Sequence, residues 1–211
     1  MAPGAPQQHP RQPRDDHLKV LILGTPATYA LARFFPRHSR DITLWFLSQR
    51  ILPPAVVLIP FYLMMVALHL IDTWIGLILC YSTFNLAFDV VIMRDAFRSI
   101  SIEIEGAARV EGATLWQIFL LIALPLAVHG LIVSAVIVFA FTWNEALVAS
   151  ALTSQHATTM SVFILASCST RGVDFNTASV NTLLAVAPPV IFSFFVQRFL
   201  ARGLSFGAVK G

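Results

Sequence analysis

The sequence predicts an all-α membrane protein, a polytopic bundle of helices that cross a lipid bilayer. Hydrophobic residues make up 57% of the 211 residues and charged residues only 12%, and the mean hydropathy is +0.75. A soluble domain carries about a quarter charged residues, so the composition excludes a water-soluble fold. Several apolar runs reach the roughly 20 residues that a helix needs to cross a bilayer. The modest net charge of +3 gives no reason to expect a nucleic-acid partner.

The N-terminal segment differs from the rest of the chain. Residues 1–17 are predicted to form a disordered tail, because they contain four prolines and lack the apolar core of a signal peptide. The apolar run at 20–32 is too short to cross a bilayer comfortably. The membrane domain is therefore predicted over residues 18–211.

Apolar runs long enough to span the membrane follow a basic linker at 33–50. Each run is nearly free of charged side chains, and proline residues within two of them are expected to bend the helices. Trp74 opens the second run at the position where interfacial tryptophans occur. The predicted spans are about 51–71, 74–93, 124–147 and 177–196.

The basic residues are distributed unevenly around these spans. If the polar loop at 101–117 faces the cytoplasm, only Arg171 lies in a segment between spans on the other side. Positively charged residues favour the cytoplasmic side of a membrane. The loop and the C-terminus are therefore predicted to be cytoplasmic. Ten basic residues then lie inside: Arg33, Arg37, Arg40, Arg50, Arg94, Arg98, Arg109, Arg198, Arg202 and Lys210.

The loop at 101–117 carries local signals for two short helices. Ser101 is a favourable N-cap, and two carboxylates follow it in the first turn, where the helix dipole favours negative charge. Gly112 suits the position after a helix C-terminus. Thr114 and Gln117 form the pattern of a capping box. We therefore expect a helix, a break at the glycine, and a second helix.

One face of the first loop helix is built from small residues. Ile104, Ala107, Ala108 and Glu111 follow the spacing of a single helical face. The alanines at its centre allow another surface to approach closely. The same pattern also fits an interfacial helix that simply links two spans.

The loop resembles a known family motif. The run G-A-A-R-V-E-G-A at 106–113, followed by Leu124 and Pro125, is similar to the cytoplasmic EAA loop of permease subunits in binding-protein-dependent ABC importers. The resemblance extends over roughly residues 24–211 and is closest to the carbohydrate and polyol branch. Further matching segments are I-L-P-P at 51–54, L-I-D-T at 70–73, T-F-N-L at 83–86, W-N-E at 143–145 and G-A-V-K-G at 207–211.

The resemblance implies a fold, a function and partners. The fold would be that of a type I ABC importer permease in the bacterial cytoplasmic, or inner, membrane. Its partners would be ATP-binding cassette ATPase subunits, a second permease subunit, an extracytoplasmic solute-binding protein and membrane lipid. ATPase closure would drive alternating access for a carbohydrate or polyol. The residues expected to couple this loop to the ATPase are Glu105, Gly106, Ala107, Ala108, Glu111, Gly112 and Ala113.

Two departures from the family pattern leave a second interpretation open. The family usually has Glu immediately before the paired alanines, where this chain has Gly106. The chain is also expected to lack one or more N-terminal spans of the family fold. A truncated, transport-inactive membrane protein derived from such a permease is the alternative.

The sequence shows no catalytic constellation. Its only lysines, Lys19 and Lys210, do not follow a glycine-rich phosphate loop. It contains neither the H-E-x-x-H pattern of zinc hydrolases nor a G-x-S-x-G nucleophile motif. We therefore expect no enzymatic activity, no metal site and no cofactor.

Polar residues inside the apolar runs are costly and indicate function. Asn85, Asn144 and Glu145 are candidates for lining a solute path. Two structural roles compete with this interpretation: Asn85 would make a hydrogen bond between helices, and Glu145 would cap its span. Asp89 is expected near the cytoplasmic interface, paired with Arg94 or hydrated.

Overall fold

The computed structural model describes residues 16–35, 38–169, 172–173 and 175–207. Most of the predicted tail and the last four residues of the chain lie outside the described residues. The predicted all-α class is confirmed, since helices make up nearly all of the described part. Two strands of two residues each, Cys168–Ser169 and Gly172–Val173, pair in antiparallel orientation.

The helices follow one another with short connections. A π-helical turn, Phe119–Ala123, separates α6 from α7. In chain order the helices are α1 (Asp16–Phe34), α2 (Ser39–Ile51), α3 (Pro54–Ala67), α4 (Trp74–Arg98), α5 (Ile102–Val110), α6 (Leu115–Ile118), α7 (Leu124–Leu126), α8 (Val128–Asn144), α9 (Leu147–Leu152), α10 (Met160–Ser167) and α11 (Phe175–Gly207).

Helix α4 is the central element, and it packs against α1, α2, α8 and α9. It begins at the N-cap Thr73, whose side chain accepts a hydrogen bond from the backbone N–H of Gly76 at 3.1 Å. Among the described residues it is the one unbroken helix that is long and apolar enough to cross a membrane. The predicted span at 74–93 lies within it.

Two further spans are possible if bent helices are counted together. Helices α2 and α3 meet at 94°, and the segments Leu115–Leu126 and Val128–Asn144 meet at 74°. Pro54 is the first residue of α3, and Leu52 before the Pro53-Pro54 pair is extended, as residues that precede proline usually are. Pro125 follows the π-helical turn, where its missing N–H removes one helical hydrogen bond. Proline residues therefore lie at the first break and just before the second.

The buried core consists of two clusters along the length of α4. One lies at its C-terminal end, where the ring centroid of Tyr29 is 5.2 Å from that of Phe97 and 5.1 Å from that of Phe119. The other lies towards its N-terminal end around Leu77, Cys80 and the side chains of α9. These clusters hold α1, α4 and the region before α8 together at one end, and α3, α4 and α9 at the other.

Asp89 is buried within the bundle, so the expectation that it pairs with Arg94 or is hydrated is wrong. The carboxylate is fully buried, and its Oδ1 accepts a hydrogen bond from the Ser134 hydroxyl at 2.7 Å. Arg94 instead donates to Asp95 and to Ser39. A spacing of five residues places Asp89 and Arg94 on different faces of α4. Asp89 therefore links α4 to α8.

The Asp72 side chain holds two loops together at the end of the bundle where α4 begins. Its carboxylate accepts hydrogen bonds at 2.9–3.2 Å from the backbone N–H groups of Ser154, Gln155, His156 and Ala157. Burial raises the pKa of Asp72, but these four N–H donors outweigh it and hold the pKa well below its ordinary value. The carboxylate thus fixes the loop after α9 against the turn before α4.

We predict that Asp72→Asn loosens this loop. At pH 7 the amides of residues 154–157 should exchange with deuterium at least about fivefold faster, because hydrogen bonds to a charged acceptor are lost. Since the folded pKa is depressed, the contribution is present above about pH 4 and falls as the pH drops through the folded pKa. The difference between the variant and the wild type should therefore shrink in acid. Asp95→Asn, which removes an exposed carboxylate, is the control, and equal exchange in both variants would contradict this role.

We predict that Gly130→Ala destabilises the contact between α8 and α4. A Cβ at Gly130 would lie 2.3 Å from the Cβ of Ala96, and neither methyl group can rotate away. Overpacking of this kind costs about 1–3 kcal/mol. Gly106→Ala is the matched control, since a Cβ there meets nothing within 4 Å. Unfolding in mixed micelles measures both variants, and a Gly130→Ala variant as stable as the control would show that the helices can separate freely.

Candidate functional site

The polar loop at 101–117 has the local structure that its sequence predicts. The Ser101 side chain accepts a hydrogen bond from the N–H of Glu103 at 3.2 Å, and α5 begins at the next residue after the cap. Gly112 has a φ of +87°, which a glycine adopts without strain. Thr114 and Gln117 form the capping box that starts α6. These predictions are confirmed.

Glu105 ties α5 to α1. Its Oε2 accepts a hydrogen bond from the Tyr29 hydroxyl at 2.8 Å, and the Arg33 guanidinium forms an ion pair with Oε1 at 2.7 Å. Arg33 also donates to the backbone carbonyl of Ile100 at 3.1 Å. The Glu105 residue is only 2% exposed. The sequence prediction assigns Glu105 to the residues that couple to an ATPase, but the structure places its carboxylate inside the chain's own bundle.

The opposite side of α5 faces away from the bundle. Ala107 is exposed there, and so is the apolar side chain of Val110 one turn later, which is 90% exposed. Gly106 and Ala108 are half-buried at the flanks of the helix. The other predicted coupling residues lie just beyond α5, with Glu111 and Gly112 exposed and Ala113 half-buried.

Two of the three predicted solute-path residues line a common cavity of about 240 Å³ between α2, α4 and α8. Asn85 and Glu145 both contribute to its wall, together with Tyr81 and Phe84. Asn144 does not line this cavity. Its side chain is exposed and donates to the backbone carbonyl of Ala140 at 2.8 Å.

The two predicted solute-path residues that line the cavity also make structural hydrogen bonds. Asn85 Nδ2 donates to the Thr142 hydroxyl at 3.1 Å, which links α4 to α8. Its buried Oδ1 has no hydrogen-bond partner within the described part of the chain. Glu145 Oε1 accepts from the backbone N–H of Val148 at 3.0 Å, in the first turn of α9. The interhelical hydrogen bond expected for Asn85 is therefore present, whereas Glu145 caps the following helix α9 and not its own span. Asn85 Oδ1 takes no part in these bonds.

Arg50 occupies the same cavity, although the sequence prediction assigns it to a cytoplasmic linker. Its guanidinium carbon lies 4.2 Å from the ring centroid of Phe88 and 4.7 Å from that of Phe141, which is the distance range of cation–π contacts. Nη1 approaches the Phe84 carbonyl at 3.4 Å. Phe84 and Phe88 lie near the middle of the 25-residue α4, so Arg50 lies at mid-depth of the bundle.

We predict that Arg33→Met destabilises the protein by about 3 kcal/mol, because it leaves the buried Glu105 carboxylate without a counter-charge. Adding Glu105→Leu should recover most of this loss, since both charges are then absent. Arg94→Met is the control, because its ion-pair partner Asp95 is 66% exposed and such pairs contribute less than about 1 kcal/mol. A double-mutant cycle on unfolding free energies tests this. Equal losses of unfolding free energy for Arg33→Met and Arg94→Met would mean that the buried ion pair stabilises the protein no more than the exposed one.

The sequence is similar to known transport proteins along most of its length. Residues 24–206 match the family described as "Binding-protein-dependent transport system inner membrane component". The probable ABC transporter permease protein y4oR of Sinorhizobium fredii is 33% identical over 191 residues, which cover 90% of this chain and 69% of that protein. The trehalose transport system permease protein SugB of Mycobacterium tuberculosis is 34% identical over 195 residues, covering 91% and 71%.

The fold is similar to solved ABC transporter structures. A chain of the MetNI methionine ABC transporter in an inward-facing conformation superposes with a TM-score of 0.70 at 17% identity, covering 89% of this chain and 88% of that one. A chain of a bacterial ABC transporter that imports the acidic polysaccharide alginate gives a TM-score of 0.68 at 23% identity, covering 87% and 72%. The chain therefore belongs to the family of binding-protein-dependent transport system inner membrane components, the permease subunits of ABC importers.

Proposed function

We propose that this chain is the transmembrane permease subunit of an ATP-driven ABC importer for a carbohydrate or polyol. Family membership supports the permease role, and two relatives carry sugar names in their descriptions. One is SugB, described as a trehalose permease. The other is the diacetylchitobiose uptake system permease protein NgcG of Streptomyces coelicolor, 28% identical over 194 residues that cover 90% of this chain and 64% of that protein.

The proposed mechanism rests on the ion pair between Glu105 and Arg33, because it connects the loop at 101–117 to the bundle. Closure of the ATPase pair on ATP pushes on the exposed side of α5. The buried ion pair between Glu105 and Arg33 transfers this displacement to α1, and α1 packs against the central helix α4. In this arrangement Glu105 acts as the internal link. The external contact is made by Gly106, Ala107, Ala108, Glu111, Gly112 and Ala113.

The cavity that contains Asn85 and Glu145 is the proposed solute path. It lies beside the middle of α4 and is bordered by α2 and α8. Alternating access would expose it first to an extracytoplasmic solute-binding protein and then to the cytoplasm. Asn144 lies outside the cavity but next to Glu145, so we assign it to the entrance of the path.

The proposed assembly places the chain in the bacterial inner membrane beside a second permease subunit and lipid. Apolar side chains on α3 and α11 support this, since Ile59, Leu63 and Leu183 are each more than 60% exposed. The proposed spans are about 51–71, 74–93, 124–147 and 177–196, with the coupling loop at 101–117. The excess of basic residues on one side, nine without Arg50, supports a cytoplasmic location for this loop and the C-terminus.

The alternative of a transport-inactive derivative depends in part on Gly106. Helix α5 continues through this residue without a break. A side chain at Gly106 would meet nothing within 4 Å, so the glycine replaces a charge without altering the packing of the loop. These observations favour an active permease.

We predict that Ala107→Trp uncouples transport, because a large side chain on the exposed face of α5 prevents close docking of the ATPase. The complex reconstituted with its ATPase, partner permease and binding protein should lose about tenfold or more of its solute-stimulated ATP hydrolysis, while membrane insertion is unchanged. Ala107→Ser, which keeps the residue small, is the control. Normal stimulated hydrolysis by Ala107→Trp in an assembled complex would show that this face does not dock the ATPase.

A further inference from the structure

We infer that Arg50 and Asn85 together bind a pair of hydroxyl groups on an uncharged polyhydroxylated solute. This inference rests on the proposed function, and it adds to it a binding residue and the charge class of the solute. It follows from the hydrogen-bonding groups that the cavity leaves unused and from the charges that surround them.

Arg50 is a cation at mid-depth of the bundle, and the Glu145 carboxylate of the same cavity interacts with it only from beyond salt-bridge distance. No carboxylate within the described part of the chain approaches its guanidinium within 4.0 Å, whereas Arg33 and Arg94 both have such a partner. The rings of Phe88 and Phe141 stabilise its charge, but they accept no conventional hydrogen bond. A charged side chain inside a membrane bundle is expensive, and such residues mark substrate pathways.

The cavity presents both spare donors and a spare acceptor. A guanidinium carries five N–H donors, and within the described part of the chain Arg50 makes one hydrogen bond, the long contact of Nη1 with the Phe84 carbonyl at 3.4 Å. Asn85 Oδ1 is a buried acceptor that lacks a donor among the described residues. A buried polar atom without a partner is energetically costly. A ligand that supplies the missing partners is therefore favoured.

Hydroxyl groups match this arrangement better than a carboxylate does. A hydroxyl accepts from Arg50 and donates to Asn85 Oδ1, whereas a carboxylate only accepts and leaves the amide oxygen unpaired. Glu145 lines the same cavity as Arg50 and interacts electrostatically with it, so the two opposite charges offset each other and leave little net attraction for an ion. The cavity therefore favours an uncharged solute with several hydroxyl groups.

The cavity size limits how much of the solute is bound at once. Its volume of about 240 Å³ is below the range of about 300–1,000 Å³ that is typical of pockets for drug-sized ligands. A single sugar ring or a short polyol matches this volume better than an oligosaccharide does. A longer solute would be contacted one ring at a time.

The test compares uptake of neutral and anionic solutes by the complete importer in proteoliposomes. Labelled glucose, trehalose and sorbitol are the neutral probes, and glucuronate is the anionic probe. The wild type should prefer a neutral probe by at least about tenfold. Preference for glucuronate would overturn the inference and leave the importer function intact, whereas no ATP-dependent uptake of any probe would contradict the proposed function itself.

Variants of Arg50 distinguish solute binding from a packing role. Monodeoxy analogues of the best neutral probe should include at least one that the wild type transports about tenfold more slowly, because a hydroxyl bound by Arg50 is missing. Arg50→Gln should slow uptake of the parent sugar and abolish discrimination against that analogue. Arg40→Gln, at an exposed position of the same helix, should retain the discrimination.

Arg50→Lys provides the test if the glutamine variant does not assemble. Lysine retains the charge over the aromatic rings but lacks the planar fork of donors, so it should also lose the discrimination against the deoxy analogue. Wild-type discrimination in an assembled Arg50→Gln or Arg50→Lys importer would show that Arg50 does not contact the solute.

Discussion

The position of the loop at 101–117 depends on the burial of one carboxylate. Helix α5 has only nine residues, and helices of this length are marginal on their own in water. Its caps set where it starts and stops, but they do not orient it. The contacts of Glu105 with Tyr29 and Arg33 supply that orientation. They turn one side of the helix inward, and the side that carries Ala107 is exposed as a result.

Helix α4 carries the polar side chains that organise the interior of the bundle. Asp89 binds Ser134 of α8, and Asn85 binds Thr142 of the same helix. Hydrogen bonds between apolar helices fix their register, because a buried polar group without its partner is costly. Gly130 of α8 lies close to Ala96 of α4, which lets the two helices pack tightly at this contact. The relative position of α4 and α8 is thus set by polar pairs and small residues together.

Local structure could be predicted from the sequence because its causes are local. The caps at Ser101 and Thr114 and the turn at Gly112 depend on residues within one helical turn of each other. Solute-path candidates could also be found, since polar residues in apolar runs stand out. Asn85 and Glu145, 60 residues apart in the sequence, line the same cavity.

Long-range partners could not be predicted in this way. Glu105 and Arg33 are 72 residues apart, and nothing in either segment specifies the other. The charge pattern assigns Arg50 to a basic linker, because a count of charges contains no information about the tertiary contacts of α2 with α4 and α8. The pairing expected for Asp89 fails for a local reason, since a spacing of five residues places Asp89 and Arg94 on different helical faces.

The break between α2 and α3 has a consequence for water inside the membrane. Pro53 and Pro54 carry no N–H, so the carbonyl groups of Gln49 and Arg50 lack the donors that a continuous helix would provide. Both residues border the cavity that contains Asn85. Unpaired carbonyl groups are tolerated at membrane depth only where protein or water satisfies them. We therefore expect these carbonyl groups to bind water in the cavity before a solute enters, so that solute binding would exchange ordered water molecules for hydroxyl groups with similar hydrogen bonds.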